Sequence, residues 1–172
     1  LSWAVRNNYL IPSKKREPED FKSAATLLLA DRGGLIFQPK VGYHEQVAEL
    51  DFVSMYPTIM VEHNVSPETV NCRCCTEGEA KEIVPELEYT ICGKREGIVP
   101  ATLRAVVRKR AFYKKEKKRL KKLGDERWHV YDHRQNALKW MLVTCFGYLG
   151  YKNARFGRIE AHESVNAYSR DA

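Results

Sequence analysis

Apolar positions along this chain fall into two regimes. The second half carries them at helical spacing, and the first half carries them in short runs between turn signals. Over residues 128–146, Leu138, Met141, Leu142 and Cys145 share one face and predict the buried stripe of an amphipathic helix. Pro100 opens a second helix, expected to run to about residue 123, where Gly124 is a natural stop. A short link between two long helices predicts an antiparallel helical hairpin. Residues 159–172 predict a further helix, expected to cover a sheet. Phe146, Gly147, Tyr148, Leu149, Gly150 and Tyr151 alternate glycines with large residues and predict a tight bend after the hairpin.

The first half is more broken. Residues 20–30 predict a helix, preceded by a Lys/Arg-rich loop between Pro12 and Pro18. Gly33 and Gly34 mark a turn into a short strand at 35–37. Val47, Leu50, Phe52 and Val53 form an apolar, β-prone run that predicts a strand ending at Asp51. Pro57 suits the first position of a helix over 57–63, since its missing N–H costs nothing there, and Asn64 is placed to end it. Residues 71–97 predict an irregular segment. The expected class is α+β: a small, incomplete antiparallel sheet with an α-hairpin projecting from it over about 100–146.

Charge sharpens the picture. The chain has 172 residues, enough for one ordinary domain or two small subdomains, and a net charge of +7. That balance suits a polyanionic partner. The helix from Pro100 concentrates it: Lys and Arg crowd its length and Glu116 is its one acid. Most of these lysines are expected to form a solvated face. No apolar run approaches the length of a membrane span. The chain starts at Leu1 without a signal peptide and stops inside a helical pattern, so it is expected to be a piece of a longer protein. Five cysteines do not indicate a secreted scaffold. Cys72, Cys74, Cys75 and Cys92 fall within a short span and could bind zinc or an iron–sulfur cluster, although their spacing is not a regular double Cys-x-x-Cys. Disulfide, metal and unpaired thiols are three open readings.

Asp51 is the leading candidate for chemistry. A carboxylate closing a buried strand is costly unless it meets a cation. A hard divalent ion would meet it, and such ions take one or two protein carboxylates plus substrate phosphates. The run Asp51-Phe52-Val53-Ser54-Met55-Tyr56-Pro57-Thr58-Ile59 resembles motif A of the family B DNA polymerases, Asp-x-x-Ser-Leu-Tyr-Pro-Ser-Ile, with Met55 for Leu and Thr58 for the second Ser. The resemblance continues through residues 62–70 and resumes over 97–151. Gly33 and Gly34 match part of a Tyr-x-Gly-Gly element, without its Tyr.

The resemblance implies a partial polymerase palm over 1–99, a helical-hairpin fingers subdomain over 100–151, and the start of the next palm segment over 152–172. It implies that Asp51 and the Phe52 carbonyl bind Mg²⁺ or Mn²⁺. Tyr56 would pack beneath the incoming sugar and exclude a 2′-hydroxyl by steric means, with Met55 beside it. Arg110 and Lys114, four apart on the fingers helix, and Lys139, the leading Lys of motif B, would bind the triphosphate. The motif B pattern, Lys-x-x-x-Asn-x-x-Tyr-Gly, is altered: Val143 stands for Asn and Phe146 for Tyr. Lys139, Val143 and Phe146 share one helix face. Losing an amide and a hydroxyl there removes polar contacts typically worth about 0.5–1.5 kcal/mol each, which predicts altered fidelity or lowered activity. The pattern is similar to that of divergent archaeal paralogues. Some heat-loving archaeal members pair two cysteines in this region, and Cys75 and Cys92 match their places.

Motif C, the aspartate hairpin that completes a two-metal site, has no counterpart in these residues. Three functional classes follow. The chain is the catalytic palm and fingers portion of a DNA polymerase, inactive by itself; or one subunit of a split polymerase whose partner carries motif C; or a basic nucleic-acid-binding module without chemistry. The implied partners are a DNA primer–template, deoxynucleoside triphosphates and the remainder of the polymerase, with no membrane. The implied location is the cytoplasm, with the nucleoid.

Overall fold

A computed structural model describes residues 1–13, 22–30, 38–76, 78–151 and 153–172, with Leu29 described by its backbone alone. Six helices and one two-stranded sheet make up the described part. They are α1 (Ser2–Arg6), α2 (Ala24–Ala30), α3 (Met55–Glu62), β1 (Ala80–Ile83), β2 (Thr90–Cys92), α4 (Ile98–Lys122), α5 (Trp128–Gly150) and α6 (Ile159–Asp171). The class is α+β.

The expected hairpin is present as α4 and α5, and it is longer than the sequence pattern predicts. Helix α5 runs through Phe146 and Gly147 to Gly150 instead of bending there. Its buried line is Gln135, Leu142 and Leu149, with Leu138 and Cys145 half-buried beside it, and Met141 faces out. The i, i+3, i+4 stripe therefore continues through Gly147 to Leu149 and outweighs the poor helix propensity of glycine. Gly150 is needed for a different reason: a Cβ there would meet the His162 ring at 3.0 Å. At the hairpin tip, Gly124 has φ +69°. The Asp125 N–H bonds the Leu120 carbonyl at 3.1 Å and the Gly124 N–H bonds that of Lys121 at 3.3 Å. This paired arrangement closes α4 with a left-handed residue, where Gly is least strained.

The apolar run at 47–53 is not a strand. Val47, Leu50, Phe52 and Val53 are exposed, and Asp51 lies in an exposed turn entry rather than at a strand end. A strand needs a ladder partner for its backbone groups, and the described residues supply none to this segment. The sheet that does form lies in the segment expected to be irregular. There β1 and β2 pair antiparallel, with Ile83 opposite Thr90 and a bulge between Ala80 and Glu82. Helix α3 begins two residues before Pro57, which sits at the third helical position. Pro100 occupies the same position in α4. Both are tolerated because the first four N–H groups of a helix have no intrahelical partner. Of the helix expected at 20–30, α2 forms over 24–30, residues 22–23 are not helical, and 20–21 lie outside the described residues. So do most of the loop expected between Pro12 and Pro18 and the elements expected at Gly33, Gly34 and 35–37.

One core joins these parts. Met60, Val65, Val70, Val84, Ile91, Leu142, Leu149 and Val165 are nearly or fully buried in a single cluster. Helix α6 packs on α3 and α5 instead of covering the sheet. It meets the sheet's connecting loop through polar contacts, Tyr89 Oη donating to Glu163 at 2.9 Å and Arg170 paired with Glu86 at 2.7 Å. Glu163, which is 1 % exposed, also receives Lys22 at 2.5 Å. That buried ion pair ties the segment before α2 to α6.

The start of α4 is held from outside the helix. Asn64, with φ +55°, accepts from the Gly97 N–H at 2.8 Å. Glu68 accepts from the Ile98 N–H at 2.5 Å, and Ser66 Oγ accepts from the Val99 N–H at 3.3 Å. Pro100 has no N–H to satisfy. A Cβ at Gly97 would meet that of Ser66 at 2.4 Å, so the loop after α3 and the start of α4 fit only with Gly97 between them. The Glu68 charge also suits the positive end of the α4 dipole. Loss of a capping side chain typically costs about 0.5–2 kcal/mol. Glu68→Ala should therefore lower the melting temperature by a few degrees, at roughly 2–4 °C per kcal/mol for a chain of this size. An unchanged melting curve would show that Glu68 is not a cap.

Candidate active site

The turn from Asp51 to Ser54 stands at the mouth of the candidate site. Ser54 has φ +55°, a left-handed conformation that reverses the chain into α3. Thr58 Oγ1 closes the turn by donating to the Val53 carbonyl at 3.3 Å. Asp51 and Phe52 are left exposed. An oxygen donor of this kind suits a hard divalent ion. Among the described residues, however, Asp51 belongs to no group of three or more potential ligands, so the chain offers one side of such a site.

Arg110 reaches this turn from α4. It is 9 % exposed, and its Nη1 donates to Ser54 Oγ. Its Nε is buried with no hydrogen-bond partner among the described residues. Leu103, one face-repeat earlier on α4, is in the core and sets the direction in which Arg110 points. An unpaired donor on a buried guanidinium is costly unless a ligand completes it.

Tyr56 faces α5. Its ring stacks on Phe146 with centroids 4.2 Å apart, and Phe146 stacks in turn on His162 at 4.2 Å. His162 Nδ1 lies 3.3 Å from the Phe146 carbonyl. The Phe at this motif B position thus sits between two rings, where an apolar face is an advantage. Met55 is half-buried and packs against the core. On α5, Lys139 and Val143 are exposed, on the side of the helix that Phe146 continues towards Tyr56. The structure brings Ser54 to Arg110 and Tyr56 to Phe146. Lys114 is half-buried one turn beyond Arg110, and neither Lys114 nor Lys139 has an acidic partner among the described residues. Ser54 and His162 were not singled out by the sequence: Ser54 lies inside motif A without an evident partner, and His162 joins the site through a contact between distant helices.

The other cations divide by pairing. Lys117 bonds Asp132 at 2.7 Å across the hairpin, and Arg119 pairs with Glu116 at 2.8 Å on its own helix. The Lys117 ammonium, with Gln135 adding a hydrogen bond, holds the Asp132 carboxyl below its usual range. Lys118, Lys121 and Lys122 have no acidic partner among the described residues, and Lys121 lies 5.3 Å from the Trp128 ring centroid.

The four clustered cysteines lie apart from this site, at the end of β2. Their Sγ atoms are all within 4.8 Å of one another. Burial pushes the Cys92 thiol up, but the N–H groups of Lys94 and Arg95 and the thiols of Cys74 and Cys72 outweigh it and bring it down to about 6. Cys74 moves the other way, to about 12, through hydrogen bonds with Cys72 and Cys92.

A turn carrying the exposed Asp51, a helical hairpin whose buried Arg110 bonds Ser54 of that turn, and Tyr56 stacked on Phe146 of the second hairpin helix make up the candidate site. Comparison with known proteins gives the family. The model for DNA polymerase family B matches residues 1–172, and the chain belongs to that family. It is 36% identical over 167 residues to DNA polymerase 2 of Saccharolobus solfataricus, covering 97% of this chain and 23% of the relative. It is 33% identical over 171 residues to a DNA polymerase of Pyrococcus glycovorans, covering 99% and 21%. The solved structure of the family B DNA polymerase from Pyrobaculum calidifontis superposes with a TM-score of 0.69 at 32% identity, over 98% of this chain and 21% of that one. The chain spans about a fifth of the length of these relatives. None of the described helices is long and apolar enough to cross a membrane.

The pairing pattern predicts how the basic hairpin meets a polyanion. Each phosphate contact contributes roughly 0.9 to the slope of log affinity against log salt. Replacing Lys118 and Lys121 with Ala should weaken binding to duplex DNA and flatten that slope by up to about two. Lys117→Ala should change it less than either, because Asp132 already neutralises Lys117. An equal or larger effect from Lys117 would contradict this division.

Proposed function

We propose that this chain forms the motif A turn and the fingers of a DNA-directed DNA polymerase that adds deoxynucleotides to a primer 3′ end. The supporting observation is the buried Arg110, held at Ser54 beside Asp51 with one guanidinium donor open. Arg110 and Lys114 on α4 and Lys139 on α5 receive the triphosphate of the incoming nucleotide. Arg110 offers a planar fork suited to phosphate oxygens, and the lysines act as point charges. Positioned cations of this kind are worth most where charge moves onto the departing pyrophosphate.

Asp51 and the Phe52 carbonyl hold one side of a Mg²⁺ or Mn²⁺ site. The ion supplies charge neutralisation at the transferred phosphate when bound. The residues of this chain orient the nucleotide around it. Tyr56, backed by Phe146 and His162, forms a rigid floor under the sugar. The stack leaves the Tyr56 ring little freedom to move aside for a 2′-hydroxyl. Val143 presents a methyl surface where the family pattern has an amide, and it alters contacts to the nucleotide without touching its phosphates.

The remaining partners are a primer–template and the segment carrying motif C, in the same polymerase or in a second subunit. The isolated chain, with one carboxylate, has weak or no metal occupancy at Asp51 and does not polymerise. In the polymerase complete with motif C, Asp51→Ala should cut incorporation roughly a thousandfold, matching the several kcal/mol that metal-assisted charge stabilisation supplies, while duplex binding persists. Near-normal incorporation would refute the metal role. Tyr56→Ala should raise ribonucleotide use relative to deoxynucleotide use by roughly tenfold or more. An unchanged ratio would place sugar selection elsewhere.

A further inference from the structure

Cys72, Cys74 and Cys75 lie on one turn, and Cys92 ends β2 seventeen residues beyond Cys75. The β-hairpin between them folds these two places together. Cys74 Sγ lies 3.5 Å from Cys92 Sγ, and Cys75 Sγ lies 3.7 Å from it. All four sulfurs fall within 4.8 Å of one another. Zinc–thiolate bonds are about 2.3 Å, so sulfurs at the corners of a zinc tetrahedron lie about 3.8 Å apart. We propose that Cys72, Cys74, Cys75 and Cys92 form a tetrathiolate site for one structural zinc ion.

The geometry favours this occupant over its rivals. A disulfide joins two sulfurs and gives no reason for four to meet at one point, and all four are free thiols here. A four-iron cluster interposes a cage of iron and sulfide and holds its cysteines farther apart than a single ion does. The surroundings suit a thiolate centre. The backbone N–H groups of Lys94 and Arg95 favour the thiolate of Cys92, and those of Gly93 and Lys94 that of Cys75. Such donors orient metal-bound sulfur and relieve its charge. Gly93 permits the turn, since a Cβ there would meet the Glu79 carbonyl oxygen at 2.6 Å. Arg73, Lys94 and Arg95 flank the ligands in sequence and oppose the net negative charge of zinc with four thiolates.

Binding replaces the thiol protons with one metal ion, so zinc uptake releases protons and tightens with rising pH. The site braces a place that has little else to hold it. The hairpin has two short strands, with Ile83 65% exposed. The Cys92 carbonyl accepts from Asn64 Nδ2 at 3.2 Å, so the ion stabilises the same loop that caps α4. The site is independent of nucleotide chemistry at Asp51.

The test is metal analysis of the full chain purified with a reductant and no chelator. One zinc per chain is expected, and cobalt(II) in its place should give the absorption of a tetrahedral tetrathiolate centre. Cys92→Ser, at a buried position, and Cys74→Ser, at an exposed one, should each lose the zinc. Cys145→Ser, on α5, should retain it. Zinc removal by a chelator should lower the melting temperature of the chain and leave the Cys145→Ser variant equally sensitive. Stoichiometric iron and sulfide, a disulfide among these cysteines in the reduced preparation, or no uptake of added zinc or cobalt would each overturn the proposal. Because the cobalt spectrum is read on the unaltered chain, failure of a variant to fold does not affect the outcome.

Discussion

Three side chains from the loop after α3 bond the N–H groups of the residue that caps α4 and of its first two helical residues, and the rest of the site depends on that cap. Asn64, Glu68 and Ser66 take the Gly97, Ile98 and Val99 donors in turn. A helix end left buried without partners would be costly, so α4 can start at one place only. Its register then follows. Arg110 comes twelve residues after Ile98, about 18 Å along the axis at 1.5 Å per residue. That distance delivers its guanidinium to Ser54, on the turn that carries Asp51. The left-handed Ser54 and Asn64 stand at the two ends of α3, Ser54 on the turn with Asp51 and Asn64 at the cap of α4.

The second helix of the hairpin is fixed by different means. Its inner half is held by core residues, Leu142 and Leu149, and by the Tyr56–Phe146–His162 stack. Its outer half relies on Lys117–Asp132 and on Tyr113 meeting Tyr131 edge-on at 5.7 Å. Polar and aromatic contacts of this kind are weaker than core burial and partly screened by solvent. The hairpin is therefore held by core burial where it meets α3 and α6, and mainly by polar and aromatic contacts toward its basic tip. A charge-rich tip with few buried apolar groups is suited to contacts with a mobile polyanion.

Much of this was legible in the sequence. The hairpin follows from Pro100, Gly124 and the Leu138, Leu142 and Cys145 periodicity, and motif A identified the turn at Asp51. What was not legible is long-range. The 47–53 run looks like a strand, yet it has no ladder partner among the described residues and stays exposed. The β1–β2 pair was hidden because Ala80, Lys81, Glu82 and Ile83 have no clear alternation and β2 is three residues long. Helix α5 runs through Gly147 because burial of Leu149 outweighs local propensity. The α4 cap was missed because its three members lie about thirty residues from the helix they serve. The Lys117–Asp132 pair was hidden because its two members meet only once the hairpin is folded. The roles of all these residues toward nucleotide rest on the family pattern and on the open Arg110 donor.

The sharpest measurement is single-nucleotide incorporation by the complete polymerase, titrated with deoxynucleotide, for Arg110→Ala against the unaltered protein. A hydrogen bond to a charged group is worth about 1.5–3 kcal/mol, which corresponds to roughly tenfold to a hundredfold in affinity. If the α4 cap delivers Arg110 to the triphosphate, the apparent dissociation constant for nucleotide should rise by that factor with primer–template affinity unchanged. Weakened primer–template binding with unaltered nucleotide affinity would contradict the account and leave the hairpin a nucleic-acid-binding element alone.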